Sequence, residues 1–497
     1  MTRARRWLVA LVALAVTLAA CASTTTSPAD PAPEAGDRRT VGNDPGPSGR
    51  APSTPLVLGE NDWRACGAGA QCSEIPVPLD HDDPAQGTLE IALVRRPATG
   101  PRAGTVVVNP GGPGASGVAF LANGDAVPAQ IAARFDQVSW DPRGVGHATA
   151  LRCDDELDRF YGIDSSPDDR EERDELALAA DAAVTACSNR SDELIANLDT
   201  DSTVDDLELI RHALGGEPLN YIGFSYGTLI GLRYLDTHPA GLRTLVLDGV
   251  VDPSDDLESY LTRQAIAIES VVQGIVATCG GIEPCPSVDL AGALQRLASG
   301  VEAAPLPTLE GPFVGPAELA DALIVATYDP ARFETLALAI ARADEGDASM
   351  IAALSDSYRS FPGWAAYTAT TCLDSAPPTD LDTFRAFADG LGLTAPLVGE
   401  AIAYELLPCA SWPVAGPDTG GPVSGVDGPP VLVIGGTGDA ATPYESAVAV
   451  NDALVDSRLL SYEGEGHLSL RRSECIADAT LAYLIDMSLP AEGTTCR

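Results

Sequence analysis

Lysine is missing from this sequence altogether, so every one of its 30 basic side chains is arginine, set against 71 carboxylates. The resulting formal net charge of −41 at pH 7 repels the phosphates of nucleic acid and of anionic lipid headgroups, which argues against a nucleic-acid partner. Histidine is scarce, with five residues, and no two cysteines stand in a CxxC spacing. A zinc-type site therefore lacks its ligands, and neither metal nor cofactor is expected. No internal repeat is visible. What the chain does have is bulk: 497 residues, 45% of them hydrophobic, enough for two structural units or for one domain with a large insertion.

The N-terminus reads as a processing segment. Arg3, Arg5 and Arg6 precede an apolar stretch from Trp7 to Ala20 that is short for a membrane span. The Arg5-Arg6 pair is weak evidence for twin-arginine export. The stretch ends Leu18-Ala19-Ala20-Cys21, a tetrapeptide similar to a bacterial lipobox, in which Cys21 would carry the lipid. Ordinary cleavage near Ala20 or Ala22 is the alternative. Residues 1–20 are thus expected to be a signal peptide and 21–56 a disordered tether rich in Ser, Thr, Pro and Gly. Membrane attachment would then come only through a lipid on Cys21, on the outer face of the cell membrane, with secretion as the other outcome. Cysteine usage agrees with export. Setting Cys21 aside leaves ten, an even number suited to disulfides in an oxidising compartment. Pairing in sequential order is the simplest guess: Cys66–Cys72, Cys153–Cys187, Cys279–Cys285, Cys372–Cys409 and Cys475–Cys496.

Beyond the tether, short β-branched runs alternate with helical segments, the pattern of a mostly parallel sheet covered by helices on both faces. Residues 57–252 form the first part of this α/β core, including an acidic helical excursion over 151–200. Between 253 and 428 the rhythm stops and a mainly helical cap is expected; it resumes over 429–497. Val204 to Leu214 reads as a helix with Thr203 at its start.

Gly223-Phe224-Ser225-Tyr226-Gly227 fits G-x-S-x-G, and its context makes it specific: an apolar strand, Leu219 to Ile222, precedes it and a helix follows. A sharp strand-to-helix turn lifts the serine hydroxyl above the sheet edge, and the flanking glycines remove Cβ atoms that would clash. Ser225 is the expected nucleophile of a serine hydrolase. Its base is sought among the five histidines. His81 sits in a polar turn, His212 inside a helix, and His238 at the far end of the nucleophile helix. His467, in the glycine-flanked loop after the last strand, stands where this fold places a base, and His147 is the alternative. The orienting carboxylate should follow a late strand. Asp439 does so in Gly435-Gly436-Thr437-Gly438-Asp439, with Asp248 as the alternative. The oxyanion donors are expected at the Tyr226 N–H and at Gly112 in Gly111-Gly112-Pro113-Gly114.

These motifs occur in the order Asn109-Pro110-Gly111-Gly112-Pro113-Gly114, Asp141-Pro142-Arg143-Gly144-Val145-Gly146, Gly223-Phe224-Ser225-Tyr226-Gly227-Thr228, Leu247-Asp248-Gly249-Val250, Gly435-Gly436-Thr437-Gly438-Asp439 and Gly466-His467. In that order the chain resembles the tripeptidyl aminopeptidases of actinobacteria, relatives of proline iminopeptidases, over roughly residues 60–497. The resemblance implies an α/β-hydrolase fold with a helical cap and an exported serine exopeptidase that releases short N-terminal fragments, tripeptides, from peptide substrates. It departs from the family at His147, where a small residue is expected. The residues alone support only a serine hydrolase, so an esterase or lipase, or a peptide-binding lipoprotein with a relict triad, remain rivals. An aminopeptidase needs carboxylates for the free ammonium, and Asp248, Asp252 and Glu258, in an acidic stretch that also holds Asp255 and Asp256, are the candidates. A monomer is expected.

Overall fold

Val106, Val107 and Val108 show why the centre of this chain must be a buried sheet. All three are buried; Val107 packs into the apolar cluster on one face of the sheet, and Val106 and Val108 into the cluster on the other. A strand apolar on both faces needs a cover on both. The computed structural model describes residues 56–497 except 125, 154, 168, 192, 310 and 417–420. Cys21, the expected signal peptide and nearly all of the expected tether lie outside the described residues.

Among the described residues, ten strands form one sheet: β1 (Arg64–Gly67), β2 (Ala70–Pro78), β3 (Thr88–Arg96), β4 (Gly104–Asn109), β5 (Phe135–Trp140), β6 (Leu219–Phe224), β7 (Leu242–Asp248), β8 (Val431–Gly438), β9 (Ser457–Glu465) and β10 (Thr495–Cys496). Their spatial order is β1-β2-β3-β5-β4-β6-β7-β8-β9-β10. The β1–β2, β2–β3 and β3–β5 pairs are antiparallel, and every pair from β5 to β10 is parallel. Helices Thr200–Ala213, Tyr226–Thr237 and Tyr444–Ala453 cover one face, and helix Glu474–Asp486 packs on the other through Ile476, Tyr483 and Leu484. In a parallel sheet the carboxyl ends of the strands share one edge. Asn109, Phe224, Asp248 and Gly438 all end strands there.

Helices fill the span between β7 and β8, from Leu257–Ala277 to Gly399–Tyr404. The excursion after β5 packs with them rather than with the sheet. Leu157, Phe160, Leu176, Ala183 and Leu198 belong to the same buried cluster as Leu261, Leu323, Ile340 and Leu373. Polar contacts join the two as well, with Thr370 Oγ1 donating to the Leu198 carbonyl (2.9 Å) and the Tyr161 and Thr368 hydroxyls 2.9 Å apart. The helix expected from Val204 begins earlier, at Thr200, because Asp199 caps it by accepting the Ser202 N–H at 2.8 Å. Thr203 instead turns its hydroxyl back to the Asp199 carbonyl. Arg143 of the Asp-Pro-Arg-Gly motif is fully buried. It pairs in bidentate fashion with Asp206 (2.8 and 2.7 Å) and donates to the Leu79 and Asn197 carbonyls, tying β5 to the leading hairpin and to the excursion. Five disulfides join Cys66 to Cys72, Cys153 to Cys187, Cys279 to Cys285, Cys372 to Cys409 and Cys475 to Cys496.

Candidate active site

Ser225 stands in the tight turn between β6 and helix Tyr226–Thr237, with φ 54° and ψ −127°. A non-glycine residue in such a region costs on the order of 1–3 kcal/mol, so the surroundings must enforce it. They do so by close approach. A Cβ on Gly223 would stand 2.3 Å from the Gly227 carbonyl oxygen, and one on Gly227 would stand 2.8 Å from that of Asn109. The Ser225 N–H is anchored to the Asp248 carbonyl at 3.0 Å.

The glycine loop after β4 lies directly against this turn. A Cβ on Gly111 (φ 91°) would meet Phe224 O at 2.4 Å and Tyr226 N at 3.0 Å, so only glycine lets the two backbones come together. The Gly111 N–H is already taken by Asn109 Oδ1 at 2.9 Å. That leaves Gly112, which borders the same space as Ser225, to offer the next N–H of the loop. Tyr226 is the first residue of its helix, and such a position has no intrahelical acceptor for its N–H.

His467 follows β9, and its Nδ1 lies 3.0 and 2.9 Å from the two oxygens of Asp439, which follows β8. Asp439 is oriented in turn by N–H bonds from Ala441 and Thr442 (both 3.0 Å) and by the Thr442 hydroxyl (3.2 Å). Burial pulls the His467 pKa down, but the charge of Asp439 and its hydrogen bond push harder, and the net shift is upward. The cap reaches this loop too, with the Tyr328 carbonyl accepting the His467 N–H at 2.9 Å. The other histidines with described side chains are occupied elsewhere: His81 with Asp206 and Arg143, His212 with Glu208, and His238 stacked on Tyr234. The side chain of His147 lies outside the described residues.

Ser225 sits where two hollows meet. The larger, about 340 Å³, also holds His467 and runs up under the cap between Tyr260, Tyr328, Tyr358, Trp364 and Tyr367 to Glu405. The smaller, about 130 Å³, passes Tyr226 and Leu229 to Asp252, Asp255, Asp256 and Asp374. Three expectations for the ammonium ligands need correction or refinement. Asp248 is fully buried and borders neither hollow; its two oxygens accept the Ser469 N–H (3.0 Å), and Oδ2 also that of Leu470 (2.9 Å), so it pins the loop behind His467. Burial pushes its carboxyl up to about 6, against the pull of those N–H groups. The carboxylate hydrogen-bonded to His467 Nδ1 is that of Asp439. Glu258 lies on the exposed side of helix Leu257–Ala277, away from both hollows. Asp252 does border the smaller one, with Oδ1 engaged by the Ser254 N–H (2.9 Å) and hydroxyl (2.6 Å).

The carboxylate in the larger hollow is Glu405, which sequence reasoning passed over. Tyr367 and Tyr358 donate to its two oxygens at 2.6 and 2.8 Å. Burial raises its pKa, and the two phenolic donors work against that rise. Nothing local in Tyr404-Glu405-Leu406-Leu407 marks it, because its neighbours arrive from helices Ser349–Arg359 and Trp364–Asp374.

Comparison with known proteins agrees with this architecture. Residues 104–301 match the family described as alpha/beta hydrolase fold, and residues 395–496 match that described as TAP-like protein. Serine protease Hip1 of Mycobacterium tuberculosis is 32% identical over 90% of this chain and 93% of its own. Tripeptidyl aminopeptidase of Streptomyces lividans is 32% identical over 88% of this chain and 86% of its own. Carboxylesterase B of M. tuberculosis is 30% identical over 90% and 92%. With its α/β-hydrolase sheet and relatives of this kind along nearly its whole length, the chain belongs to the tripeptidyl aminopeptidase-like family of serine peptidases.

Proposed function

We propose that this serine peptidase is an exported aminopeptidase that releases short N-terminal fragments, tripeptides, through an acyl-enzyme on Ser225. His467 takes the Ser225 proton and returns it to the leaving amine. Asp439 holds the His467 tautomer, and the N–H groups of Tyr226 and Gly112 receive the developing oxyanion. The observation that carries the aminopeptidase part is Glu405, sharing one hollow with Ser225 and His467. Both its oxygens are oriented by phenolic hydroxyls in a largely apolar chamber, a setting in which a substrate ammonium forms a strong charge-assisted bond. With the ammonium fixed at one end and the scissile carbonyl at Ser225, the depth of the chamber selects how many residues lie between them.

Glu405→Gln keeps the shape and removes the charge. It should lower kcat/KM on peptides with free N-termini by about 10- to 100-fold, the scale of a lost charged hydrogen bond, and leave hydrolysis of small aryl esters nearly unchanged. Unaltered discrimination between free and acetylated peptides in this variant would remove Glu405 from the role. The similarity to a protein named carboxylesterase B favours acyl esters as a second substrate class. A higher kcat/KM on esters than on any peptide amide would make that reading the primary one.

Export and lipidation rest on the N-terminal pattern ending at Cys21 and on five disulfides suited to an oxidising compartment. Cys21→Ser should move the protein from the membrane fraction to the medium of the expressing cells. Retention on the membrane would count against the lipid.

A further inference from the structure

Behind the wall of the smaller hollow, between its lining residues Tyr226 and Asp374, runs a hydrogen-bond chain that the proposed mechanism does not use. The Tyr226 hydroxyl lies 2.5 Å from Thr200 Oγ1, and Thr200 Oγ1 donates to Asp374 Oδ2 at 2.5 Å. The Thr200 N–H donates to the other oxygen, Asp374 Oδ1, at 2.8 Å. Three distant segments meet here: the start of helix Thr200–Ala213, the first residue after the nucleophile, and the end of cap helix Trp364–Asp374. Thr200 and Tyr226 are both buried, at 1% and 7% exposure, and Asp374 is half-buried at the wall of the hollow.

We propose that Asp374 is a positioning residue that couples the cap to the oxyanion donor at Tyr226, through Thr200. The inference rests on the reading of the Tyr226 N–H as an oxyanion donor. Proton bookkeeping fixes its direction. A threonine hydroxyl has one proton, and a carboxylate at 374 claims it. Thr200 must then accept from Tyr226, so the phenol proton points away from the substrate and the ring is held at its far end. The backbone of Tyr226 is already held at the elbow, so ring and N–H share a residue fixed at two points. An uncharged Asp374 has a proton of its own, loses the charge assistance of both Thr200 bonds, and no longer dictates which way the chain runs.

That change is expected near neutral pH. Burial pushes the Asp374 carboxyl up to about 7, and the two donors from Thr200 pull against it. Among the described residues, the charged and titratable groups facing it are Asp199 and Asp201 by the start of the Thr200–Ala213 helix, Tyr226 and Arg233 on the nucleophile helix, Asp252, Asp255, Asp256 and Tyr260 across the hollow, and Tyr367 on its own helix. An asparagine at 374 can accept the Thr200 N–H but offers a donor where Thr200 Oγ1 needs an acceptor, so it imitates the protonated state.

The test compares wild type, Asp374→Asn, Thr200→Val and Tyr226→Phe on one chromogenic peptide between pH about 5.5 and about 8.5. At the alkaline end the three variants should lose about 10- to 100-fold in kcat, the scale of a donor displaced by a fraction of an ångström to 1 Å, with KM within about threefold. As pH falls, the ratio of wild type to Asp374→Asn should shrink towards one, because the wild type takes up the proton that the amide mimics. The double variant Asp374→Asn/Thr200→Val should be no worse than the poorer single variant, since both break the same chain. A deficit constant with pH, or kcat within twofold of wild type in all three, overturns the proposal. If Thr200→Val unfolds, Tyr226→Phe carries the test, since it removes only the terminal hydroxyl. A wild type without Ser225-dependent hydrolysis would instead sink the underlying catalytic reading.

Discussion

Replacing Ser225 by alanine is expected to lower kcat on a chromogenic peptide by on the order of 10⁶-fold, the loss seen when a serine-protease nucleophile is removed. Labelling by a fluorophosphonate probe should vanish in the same variant, while the unfolding midpoint stays near that of the wild type. The reason for expecting intact folding is local. Alanine keeps the Cβ and therefore the strain of φ 54°, and it leaves the Ser225 N–H bond to Asp248 O in place. Ser225→Gly should then be the more stable of the two, by about 1 kcal/mol or more, because glycine enters that region without the side-chain penalty. Equal stability of the two variants would mean that the elbow stores no strain. Persisting turnover in Ser225→Ala would place the nucleophile elsewhere.

The second large effect is expected at Asp439. Asp439→Asn should cut kcat by about 10⁴-fold through loss of the correct His467 tautomer, with the fold retained. The pH profile adds a second readout. Only neutral His467 can accept the Ser225 proton, so activity is lost as pH falls through the His467 pKa. That pKa stands above its ordinary 6.5, since Asp439 outweighs burial. The acid limb of kcat/KM in the wild type should therefore lie above pH 6.5, and in Asp439→Asn it should move to lower pH. Asp374, at about 7, titrates on the same limb, and Asp374→Asn separates the two contributions. An unmoved limb in Asp439→Asn would show that another group sets it.

The fold was legible because its requirements are local. An apolar run such as Thr105 to Asn109 followed by glycines can hardly be anything but a buried strand opening into a loop. The elbow at Ser225 likewise needs its two glycines within four residues of each other. His467 can be singled out by elimination because histidine is so rare here, and the structure pairs it with Asp439. The acidic stretch after β7 is only partly legible, for the opposite reason. Composition says that Asp248 to Glu258 is rich in carboxylates, but not which way each one faces. Asp248 ends a central strand and turns inward to the loop of His467, whereas Glu258 sits on an exposed helix face. Glu405 and Asp374 were out of reach altogether. Each matters because of side chains brought to it from other helices, and no spacing in the chain encodes that meeting. Similarly, the excursion over 151–200 precedes the nucleophile by position yet shares its buried cluster with the cap.

The arrangement as a whole separates two tasks. On the proposed reading, the sheet edge supplies the reacting groups on short turns, and the cap supplies the walls that measure the substrate. Contacts between the two include the Tyr328 carbonyl on the His467 N–H, Gln264 Nε2 on the Ala441 carbonyl (3.1 Å), the Arg472–Asp329 ion pair, and Asp374 on Thr200. The proposed coupling of cap and chemistry runs through these contacts.

One measurement bears on the central claim most directly. A peptide library presented with free and with acetylated N-termini is digested by the wild type and by Ser225→Ala, and cleavage positions are read by mass spectrometry. Release of fragments of a single short length, tripeptides, from free N-termini only, and only by the wild type, is the predicted result. Equal cleavage of acetylated peptides, or cuts scattered through their interior, would contradict an aminopeptidase whose chamber ends at Glu405.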